Sequence, residues 1–182
     1  MFCPDAQREA RPIEGALFVD PGLGGTGWAY FQGLVTKAER ACVKRQDESG
    51  VLKSAKSERE GSWIGHAHDV ESLFLGTLAA CKPRVVVLEQ PMLWSGSATS
   101  HASASTKGGE AGDLFKLSYL VGLLGSAAKA SSGSLPILIM PHEWKGQLSK
   151  ELVLERLAEF GIEAKDHEAD AIGMGIAAQG LL

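Results

Sequence analysis

Two short runs of this chain are apolar at every position and end in a carboxylate. They are Ala16-Leu17-Phe18-Val19 before Asp20, and Val85-Val86-Val87-Leu88 before Glu89. A strand with one wet face alternates polar and apolar residues, whereas a run without alternation is covered on both faces. Buried strands of this kind demand layers, a sheet with helices packed on it. The two acids are harder to accommodate, because an ionised carboxylate beside a core is unfavourable unless a cation or hydrogen-bond donors compensate it. A third acid, Asp170, sits in the helix-like run Ala169-Asp170-Ala171-Ile172-Gly173-Met174. Two such strands side by side, closed by an acidic helix, would make a cradle for a divalent metal, and that arrangement suits cleavage of a phosphodiester.

The other elements follow from periodicity and punctuation. Residues 16–20 read as a strand, and the glycines at 22, 24, 25 and 27 as a tight turn. A second strand follows at 28–31, then a hairpin at Gln32-Gly33 into a third strand over 34–43. A helix over 62–80 turns Val70, Leu73, Phe74 and Leu78 inward, and Lys82-Pro83 ends it. Residues 84–89 form a central strand. The stretch 95–112 has no large apolar residue and reads as a long loop, expected to be mobile and to contact the substrate. A helix over 113–130 places Leu114, Leu117, Leu120, Val121 and Leu124 inward. Residues 135–140 read as a short buried strand and 141–146 as a loop. Ser149 caps a helix that runs to Phe160 and stops at Gly161. The last helix covers 166–178. The expected fold class is α/β, one mixed five-stranded sheet flanked by helices. The expected organisation is a single domain over 15–182 behind a polar, flexible tail at 1–14.

Composition excludes some classes. The chain has 182 residues, 45% of them hydrophobic, enough for one sizeable core. No apolar run reaches the roughly 18 residues of a membrane helix, and the N-terminus lacks a signal-peptide core. A cytoplasmic protein is therefore expected. Cys3, Cys42 and Cys81 match no disulfide or zinc spacing and read as small apolar fillers. The net charge of −4 weakly opposes nucleic-acid binding. Residues 36–60 mix both signs, which fits a solvated loop and a phosphate-binding patch equally well.

The candidate site residues are Asp20, Glu89, His167 and Asp170. In this topology the first and fourth strands can be parallel neighbours, so both strand-end acids leave the same edge. His167 and Asp170 lie three apart on one face of the last helix. The opposite face is small and apolar (Ala169, Ile172, Gly173, Ile176, Ala177), which allows close packing on the sheet. His167 is a candidate metal ligand or general base. Asp166 reads instead as a charge at the helix N-terminus. The turn after Asp20 reads first as a hairpin needing positive φ. It is also a candidate phosphate cradle through Thr26 and nearby amides, although it is no Walker motif. Further candidate DNA contacts are Trp94, Lys107, Trp144, Lys145 and Lys150. The tryptophans can stack on bases or close the core. His66 and His68 point in different directions on a helix and read as ordinary exposed or capping residues.

Three phrases give the chain a family resemblance: Leu-Phe-Val-Asp-Pro-Gly-Leu-Gly-Gly-Thr-Gly-Trp (17–28), Val-Val-Val-Leu-Glu-Gln-Pro (85–91) and His-Glu-Ala-Asp-Ala-Ile-Gly-Met-Gly (167–175). In this order the chain resembles the RuvC-type Holliday junction resolvases of the RNase H-like superfamily over about residues 15–180. The segment Pro-His-Glu-Trp-Lys-Gly-Gln-Leu-Ser-Lys (141–150) is similar to their final strand-to-helix connection, particularly in viral forms. The resemblance implies a structure-selective endodeoxyribonuclease cutting four-way or related branched DNA as a homodimer. It implies Mg²⁺ (or Mn²⁺ as a substitute) held by Asp20, Glu89 and Asp170, with Asp20 bridging two ions. His167 falls at the family's fourth site position, often an Asp. Two alternatives stand beside this reading. One is another RNase H-like nuclease acting on RNA–DNA hybrids. The other is an actin-like ATPase or kinase relative, for whose two lobes the chain is short.

Overall fold

A computed structural model describes residues 14–22, 25–33, 48–52, 63–91, 104–146 and 148–182, without the side chains of 48 and 104–111. Strands β1 (Ala16–Asp20), β2 (Thr26–Phe31), β3 (Glu48–Leu52), β4 (Val85–Glu89) and β5 (Ile137–Ile139) form one sheet in the order β3-β2-β1-β4-β5. β1, β2 and β3 are an antiparallel meander, β4 runs parallel to β1, and β5 runs parallel to β4. The helices among the described residues are α1 (Trp63–Cys81), α2 (Ala104–Ser132), α3 (Pro141–Trp144), α4 (Lys150–Glu159) and α5 (Asp166–Ala178). This is the mixed, helix-flanked five-stranded sheet expected from the sequence.

The absence of alternation in β1 has its cause in two separate cores. Leu17 and Val19 face α1 and α2, among Val70, Phe74, Leu78, Leu120 and Leu124. Ala16 and Phe18 face α4 and α5, among Val153, Leu157, Ile172 and Met174. Both sides of the strand lie fully out of water. At about 25 cal/mol per Å² of apolar surface, burying such side chains on both faces holds β1 firmly in the sheet. The inward ridge of α1 is Ala67, Val70, Phe74 and Leu78, while Leu73, expected on it, is exposed. The 3–4–4 spacing of the ridge leaves Leu73 off the stripe. Ser149 caps α4, its Oγ accepting from Leu152 N at 3.4 Å, and Gly161 beyond it takes φ +71°.

Four expectations need correction. The third strand is Glu48–Leu52, inside the charged segment, and residues 34–43 lie outside the described ones. Pairing with β2 carries β3, and the missing side chain of Gly50 leaves room for the indole of Trp28 opposite it. β5 is not buried: Ile137 and Leu138 are about half exposed. It is an edge strand, and an edge has a neighbour on one side only. The helix expected from 113 begins at Ala104, so the second half of the supposed loop is helical. Ala104, Lys107, Glu110 and Ala111 are good helix formers that extend a helix anchored by its packed half. Residues 141–144 form the short helix α3 instead of loop. Pro141 opens it, and Glu143 Oε2 accepts from Met140 N at 2.7 Å. The tail at 1–13, Cys3 and Cys42 lie outside the described residues.

Candidate active site

The period of two that splits the cores also aims the acids. Asp20 continues the Ala16–Phe18 row and Glu89 continues the Val85–Val87 row, so both turn to the face covered by α5. The last registered pair of the parallel ladder is Val19 with Leu88, which puts Asp20 and Glu89 one step beyond it, on neighbouring strand ends.

α5 completes the cluster by lying unusually close to the sheet. A Cβ at Gly27 would overlap the carbonyl group of His167, and one at Gly22 would overlap its imidazole. On the helix, a Cβ at Gly175 would run into the ring of Phe31. The glycines at 22 and 27 therefore serve close approach, not the positive φ expected of a hairpin. Asp166, the first residue of α5, takes φ +49°, a left-handed conformation that Asp tolerates better than most residues. The helix then delivers His167 directly: its Nδ1 lies 2.6 Å from Asp20 Oδ2.

The electrostatics record the crowding. Burial first, and then repulsion from Asp20, push the Glu89 carboxyl up to about 7. The same two causes, in the same order, raise Asp170. The hydrogen bond that His167 makes to Asp20 raises the His167 imidazole despite burial. Lys145 opposes the shift at Glu89 and at Asp170, and Lys150 opposes it at Asp170, so both ammonium groups stand beside the cluster. Asp20 itself is buried, 6% exposed.

All four expected site residues come together. Among the expected DNA contacts, Lys145 is half-buried and Lys150 exposed, both next to the acids. Lys150 pairs with Asp166 at 3.5 Å. Thr26 and Trp144 are corrected. Thr26 is fully buried, and its Oγ1 accepts from Gly22 N at 3.5 Å, bracing the turn. Trp144 is 7% exposed within the core under α5, leaving no face for a base, and its Nε1 donates to Glu89 Oε2 at 2.6 Å. Trp94 and the side chain of Lys107 lie outside the described residues. Sequence reasoning missed two contacts. Ser49 Oγ donates to Glu168 Oε1 at 2.9 Å, tying β3 to α5. On α1, His68 bridges Glu71 (2.9 Å) and the Tyr119 hydroxyl (3.2 Å). The Ser49–Glu168 and His68–Tyr119 contacts join residues brought together only by the fold, whereas His68–Glu71 is an i,i+3 pair that helical spacing could have shown.

As placed, no group of three or more His, Cys, Asp or Glu side chains among the described residues closes into a metal-holding geometry. Asp20 is turned to His167 and Glu89 to Trp144. The donor chemistry nonetheless fits a hard divalent cation. Three carboxylates repel one another, two of them are driven toward the neutral form, and each has an oxygen to offer.

No family model matches the chain, and no curated protein matches it by sequence. Solved structures do. Thermus thermophilus RuvC in complex with a Holliday junction substrate superposes with a TM-score of 0.61 at 15% identity, covering 89% of this chain and 90% of that one. A further T. thermophilus RuvC structure gives 0.58 at 17% identity, covering 89% and 91%. The yeast mitochondrial Holliday junction resolvase Ydc2 gives 0.54 at 13%, covering 96% and 84%. The chain thus has the RNase H-like fold of the RuvC-type resolvases, as its motifs suggested.

Proposed function

We propose that this chain is a metal-dependent, structure-selective endodeoxyribonuclease that cuts four-way junctions or related branched DNA. The observation that carries the reading is the meeting of Asp20 and Glu89, from adjacent parallel strand ends, with His167 and Asp170 of α5. Two Mg²⁺ ions, with Mn²⁺ as a substitute, would activate the attacking water and stabilise the departing 3′ oxygen. Asp20, Glu89 and Asp170 are the hard oxygen donors that would hold them. His167, bonded through Nδ1 to Asp20, orients that carboxylate and is placed to take up or return a proton. Lys145 and Lys150 add positive charge at the rim, where a scissile phosphate would bring negative charge.

The fold shared with Holliday junction resolvases supports branched DNA as the substrate. The same reading carries a homodimer, which pairs two cuts across a junction, and a cytoplasmic location. Exposed Ile64 and Leu75, on one flank of α1, and exposed Phe115 on α2 support a protein contact at these helices. No helix of the described residues is long and apolar enough to cross a membrane.

The test compares a synthetic four-way junction, a linear duplex and an RNA–DNA hybrid, each with Mg²⁺, with Mn²⁺ and with chelator. Paired metal-dependent nicks near the junction centre are expected, with the duplex left intact. Cutting of the hybrid alone would move the assignment to a ribonuclease of the same fold. Cutting of none would overturn it.

A further inference from the structure

Trp144 joins three parts of the site that are distant in sequence. Its Nε1 donates to Glu89 Oε2 at 2.6 Å across 55 positions. Its ring edge lies on α5 where Gly173 stands: a Cβ there would meet Trp144 Cζ3 at 2.8 Å and Cη2 at 3.3 Å. Gly173 is three residues after Asp170, one helical turn along. The ammonium of Lys145 stands 5.0 Å from the centre of the indole, within cation–π range. An indole has one polar atom, and a buried one needs a partner. Here that partner is one oxygen of the Glu89 carboxylate, whose charge also feels Asp20 and Asp170.

We infer that Trp144 is a positioning residue: its N–H fixes the rotamer of Glu89, and its ring, seated on Gly173, ties that rotamer to the helix bearing His167 and Asp170. The inference rests on the nuclease reading for its consequence but not for its contact. Groups that orient a metal-holding carboxylate typically change metal affinity or activity by about 10- to 100-fold when removed.

The experiment uses the full chain with Trp144→Phe, which keeps an aromatic ring and deletes the N–H. A second variant carries β-(3-benzothienyl)alanine at 144, which keeps the indole shape with sulfur in place of N–H. Both are also made in a Glu89→Ala background. Three quantities are read: Mn²⁺ affinity by calorimetry without DNA, junction affinity without metal, and melting temperature. The expected result is Mn²⁺ affinity lowered about 10- to 100-fold with junction affinity unchanged, and no further loss in the Glu89→Ala background. Equal Mn²⁺ affinity in the parent and both variants, or an equal loss with and without Glu89, would overturn the inference. If the parent binds no Mn²⁺ and cuts no DNA, the nuclease reading fails, and the melting temperatures decide the inference separately. Shifts from the 144 variants that shrink in the Glu89→Ala background uphold the contact, and strictly additive shifts refute it.

Discussion

The two faces of the sheet are covered by different chemistry. Under α1 and α2 the contacts are made by large side chains, Phe74, Leu78, Leu120 and Leu124. Under α5 the core also holds large side chains such as Phe18, Ile172 and Met174, but glycines at 22, 27 and 175 let the helix nearly touch the sheet. Distance explains the difference. A carboxylate on a strand end and an imidazole on a helix are short groups, and they meet only if the backbones do. Both faces bury a core, and the second also gives up side-chain volume for proximity.

That contrast can be broken from either side. On the α1–α2 face, Phe74→Ala should lose about 3–5 kcal/mol in urea unfolding, the largest stability effect expected, while the folded fraction cuts junctions at the parent rate. On the other face, Gly27→Ala removes no apolar surface, yet it sets a methyl against the His167 peptide. It should lose about 1–3 kcal/mol or more and take cleavage with it, because α5 must lift away from Asp20. Parent-rate cutting by Gly27→Ala would show that close approach is not what makes the site.

The acidic face should also have its own pH signature. Folded Glu89 keeps its proton up to about 7, above the ordinary carboxylate range. Between those limits the folded state binds more protons than the unfolded chain, so stability falls as pH rises. Asp170, shifted the same way, acts in the same direction. His167 adds to it, since its bond to Asp20 stabilises fully below about pH 6.5 and is lost as pH passes its raised folded value. A divalent cation bound to the deprotonated acids should reverse the trend. The melting temperature gained on adding Mg²⁺ should therefore be larger at about pH 8 than at about pH 5.5. A gain independent of pH would separate the ion from these carboxylates. The smallest effect is at the rim. Lys150→Ala breaks an exposed pair with Asp166 and should change stability by less than about 1 kcal/mol. The same change should lower the salt dependence of junction binding by about one phosphate contact.

β1, β4 and α5 were legible because each carries its instruction locally. Unbroken apolar runs mark strands covered twice, period two sends Asp20 and Glu89 to one face, and α5 begins and ends where its pattern does. What was hidden depends on neighbours. β3 has a charged, glycine-containing sequence and becomes a strand through β2. β5 has the composition of a central strand and is exposed because of its place in the order. The glycines after Asp20 look like a turn motif, and their partner is a helix 140 residues later, at His167. Trp144 showed an aromatic in a connection, and nothing local links it to Glu89.

Asp20 should hold the chemistry of this cluster without being needed for the fold. Single-turnover cleavage of a four-way junction by the parent and by Asp20→Asn, with junction binding and unfolding followed on the same samples, tests it most directly. Binding and unfolding should stay near the parent. Cleavage should fall about a thousandfold or more, the equivalent of the several kcal/mol a metal site supplies. Cleavage by Asp20→Asn at the parent rate would contradict the account.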